Sequence, residues 1–491
     1  MPVRPLFALI MGIASSSSSW AQAQSNEPLA SILPGLLARS IAMPSSTVTT
    51  VPPILGNPHE AHFIPGLVQE TAPYELNRAL VTQLSTFPTG SSSGGFTYER
   101  DPTTKLSRRT SQNFGPAFAE RALTIGREKL SLGFNYQRVI YDRFEGFDLR
   151  SGDIRFFLQH NDCCPFQLAD GKPVGNGDPK NPAFEGDLVE AEVSIDLSTE
   201  TGAFLANFGL SERLDIGLTI PVVSVNLGAR VTSTIMRLST VDPRTHSWDG
   251  NGQTVKEERA GGSATGLGDI AIRAKYNFLY QPGGGLAVAI DLRLPTGDKD
   301  DLLGTGATQT KISLIYSGEF GAVAPHINWG YTFSDGSISA DLGELKFEPE
   351  LPGPPELYPN AFREGPPTTV VDLSLPDEIN FTVGLVVAVN PKLTFNADFI
   401  GRVLKDVNRF IRSSRSYDFR TPAGGSTLFS TVPLEQVGLA ARGNLSLLMA
   451  SAGFKLNIAP GLLLNANILF PLRNSGLRAR IAPVIGFDYT F

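Results

Sequence analysis

The chain ends in LRARIAPVIGFDYTF, residues 477–491. Leu477, Ala479, Ile481, Pro483, Ile485, Phe487, Tyr489 and Phe491 alternate with Arg478, Arg480, Ala482, Val484, Gly486, Asp488 and Thr490. Period-two alternation marks a β-strand with one apolar and one polar face. Working backwards, the same pattern returns in Val189–Leu197, Asp269–Phe278 and Leu286–Leu294. Each is about ten residues, the length needed by a tilted strand crossing a bilayer.

Alternation alone also fits a soluble sandwich, so the connections decide. Short turns (Ser211–Arg213, Gln281–Gly284, Asn390–Lys392, Ala459–Gly461) alternate with long polar loops at 234–263, 296–308, 334–377 and 405–435. Sorting of short and long loops to opposite ends is the habit of a barrel threaded through an outer membrane. The expected fold is therefore all-β, a transmembrane antiparallel up-and-down β-barrel of about 14 strands, with 12–16 as the range. One connection fits poorly: 161–187 falls on the short-turn side, yet is long and holds Cys163 and Cys164. The aromatics Phe487, Tyr489 and Phe491 resemble the terminal signal by which the bacterial barrel assembly machinery selects its clients.

Composition agrees. Charged residues are 18% of 491, hydrophobic residues 41%, mean hydropathy is −0.02, and Gly (49) and Pro (36) are abundant. A net charge of −7 with no basic cluster excludes a nucleic-acid partner. Two cysteines exclude a disulfide framework and a Cys-based zinc site. Arg4, the apolar run Leu6–Ala14 and Ala21-Gln22-Ala23 read as a cleaved signal peptide, 1–23. No later stretch is apolar enough for a membrane helix, so only a closed barrel can span. The expected domains are this signal, an irregular segment 24–125 that is a plug or a periplasmic hairpin, and a barrel over 126–491.

Ser211–Val223 (SERLDIGLTIPVV), Gly266–Phe278 (GLGDIAIRAKYNF) and Leu292–Ser317 (LRLPTGDKDDLLGTGATQTKISLIYS) resemble the outer-membrane proteins associated with meta-pathway phenol degradation. The resemblance covers roughly 200–335. It implies an outer-membrane barrel passing small aromatic or apolar compounds, while 24–125 lies outside it.

Motifs for chemistry are weak. Gly90–Gly94 matches G-x-S-x-G but sits in a Ser/Gly tract without partners, which reads as a flexible turn. His59 and His62 have the wrong spacing for a metalloprotease helix. Asp298, Asp300 and Asp301 lack the spacing of a calcium loop and read as a solvated loop, a candidate for divalent ions bridging lipopolysaccharide. No enzyme, metal or cofactor is expected; the expected partners are outer-membrane lipid and lipopolysaccharide, the assembly machinery and a small-molecule solute.

The strand pattern turns a polar set toward the lumen: Asp269, Arg273, Lys275, Asp291, Arg293, His326, Asp398, Arg402, Arg478 and Arg480, joined by Glu190, Glu192, Asp196, Asn328 and Asp488. A basic residue on the lipid face would cost about 2–4 kcal/mol at the midplane. Such an interior is either a selective pathway or a salt-bridged packing that holds the barrel shut. The leading expectation is a passive channel. A non-conducting structural or surface-interaction barrel is the alternative.

Overall fold

The computed structural model describes residues 27–41, 63–64, 76, 79–80, 82–84, 88, 90–91, 95–100, 107–111 and most of 113–491. Within the last range it omits 161–166, 170–171, 175–182, 241–245, 336, 341–370 and 424–425. The proposed signal peptide, His59, His62, Cys163 and Cys164 lie outside the described residues.

Twelve antiparallel strands close into a barrel in chain order. They are β1 (Leu130–Phe144), β2 (Leu188–Gly209), β3 (Leu214–Met236), β4 (Ala271–Gln281), β5 (Gly284–Arg293) and β6 (Thr308–Ser317). There follow β7 (Val323–Asp335), β8 (Glu378–Asn390), β9 (Leu393–Ala423), β10 (Ser426–Ala459), β11 (Leu462–Pro471) and β12 (Ala482–Thr490). Closure runs through β12 on β1, from Val484 opposite Gln137 to Thr490 opposite Ser131.

The count settles at the low end of the expected range for two reasons. The segments 188–198 and 203–211 are one strand, β2, paired along β3 from Leu188 opposite Met236 to Gly209 opposite Asp215. Ile154–His160 is not a wall strand; it pairs with the start of β2 and with Phe63–Ile64. The connection 145–187 therefore lies at the long-loop end, which removes the misfit noted above. Among the described residues of the N-terminal segment, 82–84 are helical and Tyr98–Arg100 pairs with Ser107–Arg109, so neither adds a strand to the wall.

Around the wall, large apolar side chains face outward and exposed: Ile272 and Phe278 on β4, Ile312 and Leu314 on β6, Ile327 and Trp329 on β7, Ile468 on β11, Ile485 on β12. A contiguous apolar belt on a closed barrel is a lipid-facing surface. On β3 the outward side changes character: Ile216, Leu218 and Val222 are followed by Ser224, Asn226 and Arg230. The inward side changes oppositely, from Asp215 to the buried Val225, Leu227, Ala229 and Val231. Above this level the strands stand in water, so the apolar face turns in and the polar face out.

That inversion corrects one expectation. Val189, Ala191, Val193, Ile195 and Leu197 face the interior, at most 5% exposed. Glu190 and Glu192 face outward and pair with Arg155 at 3.7 and 2.8 Å, and Asp196 pairs with Arg150 at 2.9 Å.

The helix α1 (Leu29–Ile41) fills this upper collar, packed on β3 and on Val255–Leu267, a strand that continues β4 upward along β3. Leu29, Ile32, Leu33, Leu36, Leu37 and Ile41 are buried. Each contributes about 1.5–3 kcal/mol of apolar burial. Gly262 permits the approach, because a Cβ there would meet Leu29 at 2.9 Å. Asp301 and the Asp300 carbonyl accept from the first amides of α1, Leu29 at 3.4 Å and Ala30 at 2.9 Å. The acidic loop 298–301 is thus docked on the helix N-terminus, where negative charge is favourable.

At the outer end Asp187, fully buried, accepts from Ser239 N at 2.8 Å and Thr240 N at 3.1 Å, and lies 2.7 Å from His246 Nδ1. His246 Nε2 is 3.2 Å from His160 Nε2, and the Phe63 ring packs edge-on against both imidazoles. Asp187→Ala leaves these donors unpaired at a cost of about 1–3 kcal/mol. Hydrogen exchange should then accelerate at 237–240 and 246–254 while β4–β8 stay protected; unchanged exchange at those loops would refute the assignment.

Candidate functional site in the barrel lumen

Residues 113–126 cross the lumen with no regular secondary structure. Buried irregular backbone needs a partner for each N–H and C=O, since an unpaired one costs about as much as a lost hydrogen bond. The inward side chains of the wall supply most of them, and the amides of Ser91, Gly95 and Tyr98 take the Ala117, Phe114 and Ile125 carbonyls. Asp398 on β9 accepts from Ala117, Phe118 and Ala119 N–H at 3.2, 3.1 and 3.3 Å. Asn328 on β7 accepts from Glu120 N at 2.6 Å and donates to Glu120 O at 3.0 Å. Lys275 on β4 donates to Arg121 O at 3.0 Å and Leu123 O at 2.9 Å. Ser317 accepts from Ala122 N and Asn277 donates to Ala122 O, at 2.8 and 3.0 Å. Asp215 accepts from Ile125 N, and Lys455 donates to Pro116 O at 2.7 Å.

The strap is also braced on its inner side. Arg121, 2% exposed, donates to Asn113 Oδ1 at 2.9 Å and Ser111 Oγ at 3.2 Å. Burial, opposed by Glu319 and helped by Arg109, pulls its guanidinium down to about 10, still protonated at neutral pH. Gly115, at φ +73°, leaves room for it, since a Cβ there would meet Arg121 Nη2 at 2.6 Å. Arg109 stacks over Phe96 and Phe114 at 4.8 and 5.0 Å. The strap's carboxylate, Glu120, reaches back to the wall and pairs with Arg273, which also holds Asp291.

Beside the strap lies a cavity of about 270 Å³, bounded by Phe118 and Glu120 on one side and β1 to β9 on the other. Its wall includes Arg273, Asp291, Arg293, Lys311, Glu378 and Arg402. Arg402 and Glu378 form a buried two-point pair, Nε to Oε2 at 3.0 Å and Nη2 to Oε1 at 2.6 Å.

Residues 178–341, about a third of the chain, match the family described as "Putative MetA-pathway of phenol degradation". The resemblance read in the sequence is borne out over this stretch. No curated protein matches the chain. Similar solved structures include an outer membrane channel from Pseudomonas putida F1, 11% identical, TM-score 0.41, over 75% of this chain and 98% of that one. A Pseudomonas aeruginosa FadL homologue is 11% identical, TM-score 0.29, over 81% and 96%. The Ralstonia pickettii toluene transporter TbuX is 11% identical, TM-score 0.26, over 77% and 94%.

Within this barrel the sequence-derived lumen residues divide into groups. Lys275 and Asp398 hold the strap, and His326 lies 2.8 Å by Nδ1 from the strap-binding Ser317. Arg273, Asp291, Arg293 and Arg402 face the cavity, and Arg293 donates to Gln309 at 3.2 Å. Asp269 also borders the cavity, with its carboxylate accepting from Gly297 N and from Thr305 N and Oγ1, which ties down the 294–307 loop.

Arg478 and Arg480 depart from the expectation. The last strand breaks at Arg480–Ile481, and Leu477 and Ala479 turn into the core. Arg478 is left near Asp142 at 3.9 Å and Arg480 is exposed, so neither lines the lumen. Phe487, Tyr489 and Phe491 do alternate outward.

Asp215, Asn277, Lys311, Glu378 and Lys455 were not singled out from the sequence, although each alternates with outward neighbours on its strand. Glu120 had no such signal, because its segment is irregular.

Asp398→Ala removes the acceptor of three amides and should loosen the strap by about 2–5 kcal/mol. Native-state exchange of amides 117–119 reads this directly, with the barrel strands as internal control. Unaltered exchange there would show that Asp398 does not anchor the strap.

Proposed function

We propose that the protein is an outer-membrane channel, closed at rest by its own N-terminal segment, that passes small apolar or aromatic molecules passively. The signal at 1–23 exports it, Phe487, Tyr489 and Phe491 present it to the assembly machinery, and the apolar belt seats it among lipid and lipopolysaccharide. The observation that carries this reading is how the strap is attached. Residues 113–126 are tied to the wall largely by side-chain hydrogen bonds. Exchanging such bonds for water costs about 0.5–1.5 kcal/mol each, so the strap can leave without exposing a large apolar core. The family match at 178–341 supports the aromatic character of the solute.

A second reading rests on the β9–β10 hairpin, whose strands of 31 and 34 residues far exceed a membrane crossing and end beside exposed Leu428 and Phe429. That tip suits contact with another surface.

Planar-bilayer recordings separate the two. Removal of residues 27–126 should raise single-channel conductance several-fold over the full chain and admit aromatic solutes to liposomes. If neither form conducts or admits solute, the channel reading fails and the surface role gains.

A further inference from the structure

Resting on the reading that the strap moves, the charge arrangement of the cavity narrows the solute. Among the described residues its cations are Arg273, Arg293, Lys311 and Arg402. Its carboxylates are Asp269, Asp291, Glu378 and Glu120. The charges balance, but they do not belong to one body. Three carboxylates sit on the wall or its loops, whereas Glu120 arrives on the strap.

The wall carboxylates are committed. Glu378 grips Arg402, Asp269 is fixed by Gly297 and Thr305, and Asp291 pairs with Arg273. Lys311, directly opposite Asp291 across the β5–β6 ladder, reaches the cavity without a hydrogen bond or an ion pair of its own among the described residues. With the strap in place, a further carboxylate in this cavity would be a buried and uncompensated charge. With Glu120 withdrawn, the wall holds one cation more than carboxylates.

We infer that Glu120 is a built-in competitor, and that the cavity takes the carboxylate of a small organic acid with an apolar body. That carboxylate replaces Glu120 on Arg273 and gains Lys311 as a second cation. Phe118 and Ile315, also on the cavity boundary, are suited to the apolar part. Because solute and Glu120 exclude each other, binding the acid and freeing the strap are one event. A neutral aromatic has no means of displacing Glu120.

The test uses the full-length barrel in detergent, with benzoate and its neutral analogue benzamide as probes in titration calorimetry. Benzoate should bind and benzamide should not, and benzoate should speed hydrogen exchange at amides 117–122. Glu120→Gln removes the competitor and should tighten benzoate about tenfold, whereas Lys311→Met should weaken it by about the same factor. Lys311 is the safer loss-of-function site, since among the described residues no hydrogen bond or ion pair of the wall depends on its side chain. Equal affinity for the two probes, or an E120Q affinity that is unchanged or weaker, overturns the inference. Conductance of the full-length Asp398→Ala protein, whose strap is loosened, is recorded in parallel: an open pore in a protein that ignores benzoate overturns the competitor role and leaves the channel standing. A silent pore in a protein that binds benzoate with the E120Q gain supports the site and removes the channel.

Discussion

A stretch of irregular backbone inside a barrel creates a demand that the wall must meet. Helices and ladders satisfy their own amides; residues 113–126 do not. Their N–H and C=O groups point outward at β-strands whose own backbone bonds are already used in the ladder. The amides of Ser91, Gly95 and Tyr98 take the Ala117, Phe114 and Ile125 carbonyls, and wall side chains answer most of the rest, which explains the polar and charged lumen better than a flow of water would. Asp398 serves three consecutive amides, and Asn328 serves both polar groups of Glu120. Lys275 serves two carbonyls while remaining 3.5 Å from Asp215, itself bonded to the strap. The ion pairs are secondary to this: Arg273 and Glu120 meet because Asn328 has already placed residue 120.

Much of the barrel was legible because alternation has a physical cause wherever one face meets lipid. On β4 and β5 the outward Ile272, Tyr276 and Ile290 are exposed and the inward Arg273 and Asp291 face each other directly in the ladder, as the period-two pattern implies. The same rule misled at Val189–Leu197. Alternation reports that two faces differ, not which of them is outside. In the membrane the apolar face is outer; a few residues higher, against α1 and in water, it is inner. The final strand failed differently, since a break at Arg480–Ile481 shifts the parity, and Leu477 and Ala479 join the core while Ile481 onward face out.

A plug was one of two readings of 24–125, but the contacts of the strap were not legible. Its residues, NFGPAFAERALTIG at 113–126, carry no period because their partners lie on many different strands, up to 341 residues away in sequence. A pattern detector reads neighbours three or two residues apart, and none of these contacts is of that kind. Even Glu120 looks like an ordinary surface acid. What sequence reasoning did register was part of the wall's half, since Arg273, Lys275, Asn328 and Asp398 all stood on the polar face of a strand. An inward charge on a barrel strand is therefore better read as a question about its partner than as a pore residue.

The N-terminal segment is attached at two heights by opposite means. At the collar, α1 is held by burial of leucine and isoleucine, a non-directional attachment that water does not readily replace. In the membrane-level lumen, the strap is held by directional bonds that water or a competing acceptor can replace one at a time. A closure that must yield to a small solute has to be weak toward polar competition somewhere and anchored elsewhere so that it returns. On the proposed channel reading, the helix would supply the anchor and the strap the yield. The border between them falls where the strands leave the lipid belt, because the apolar interior the helix needs exists only where the outer face is free to be polar.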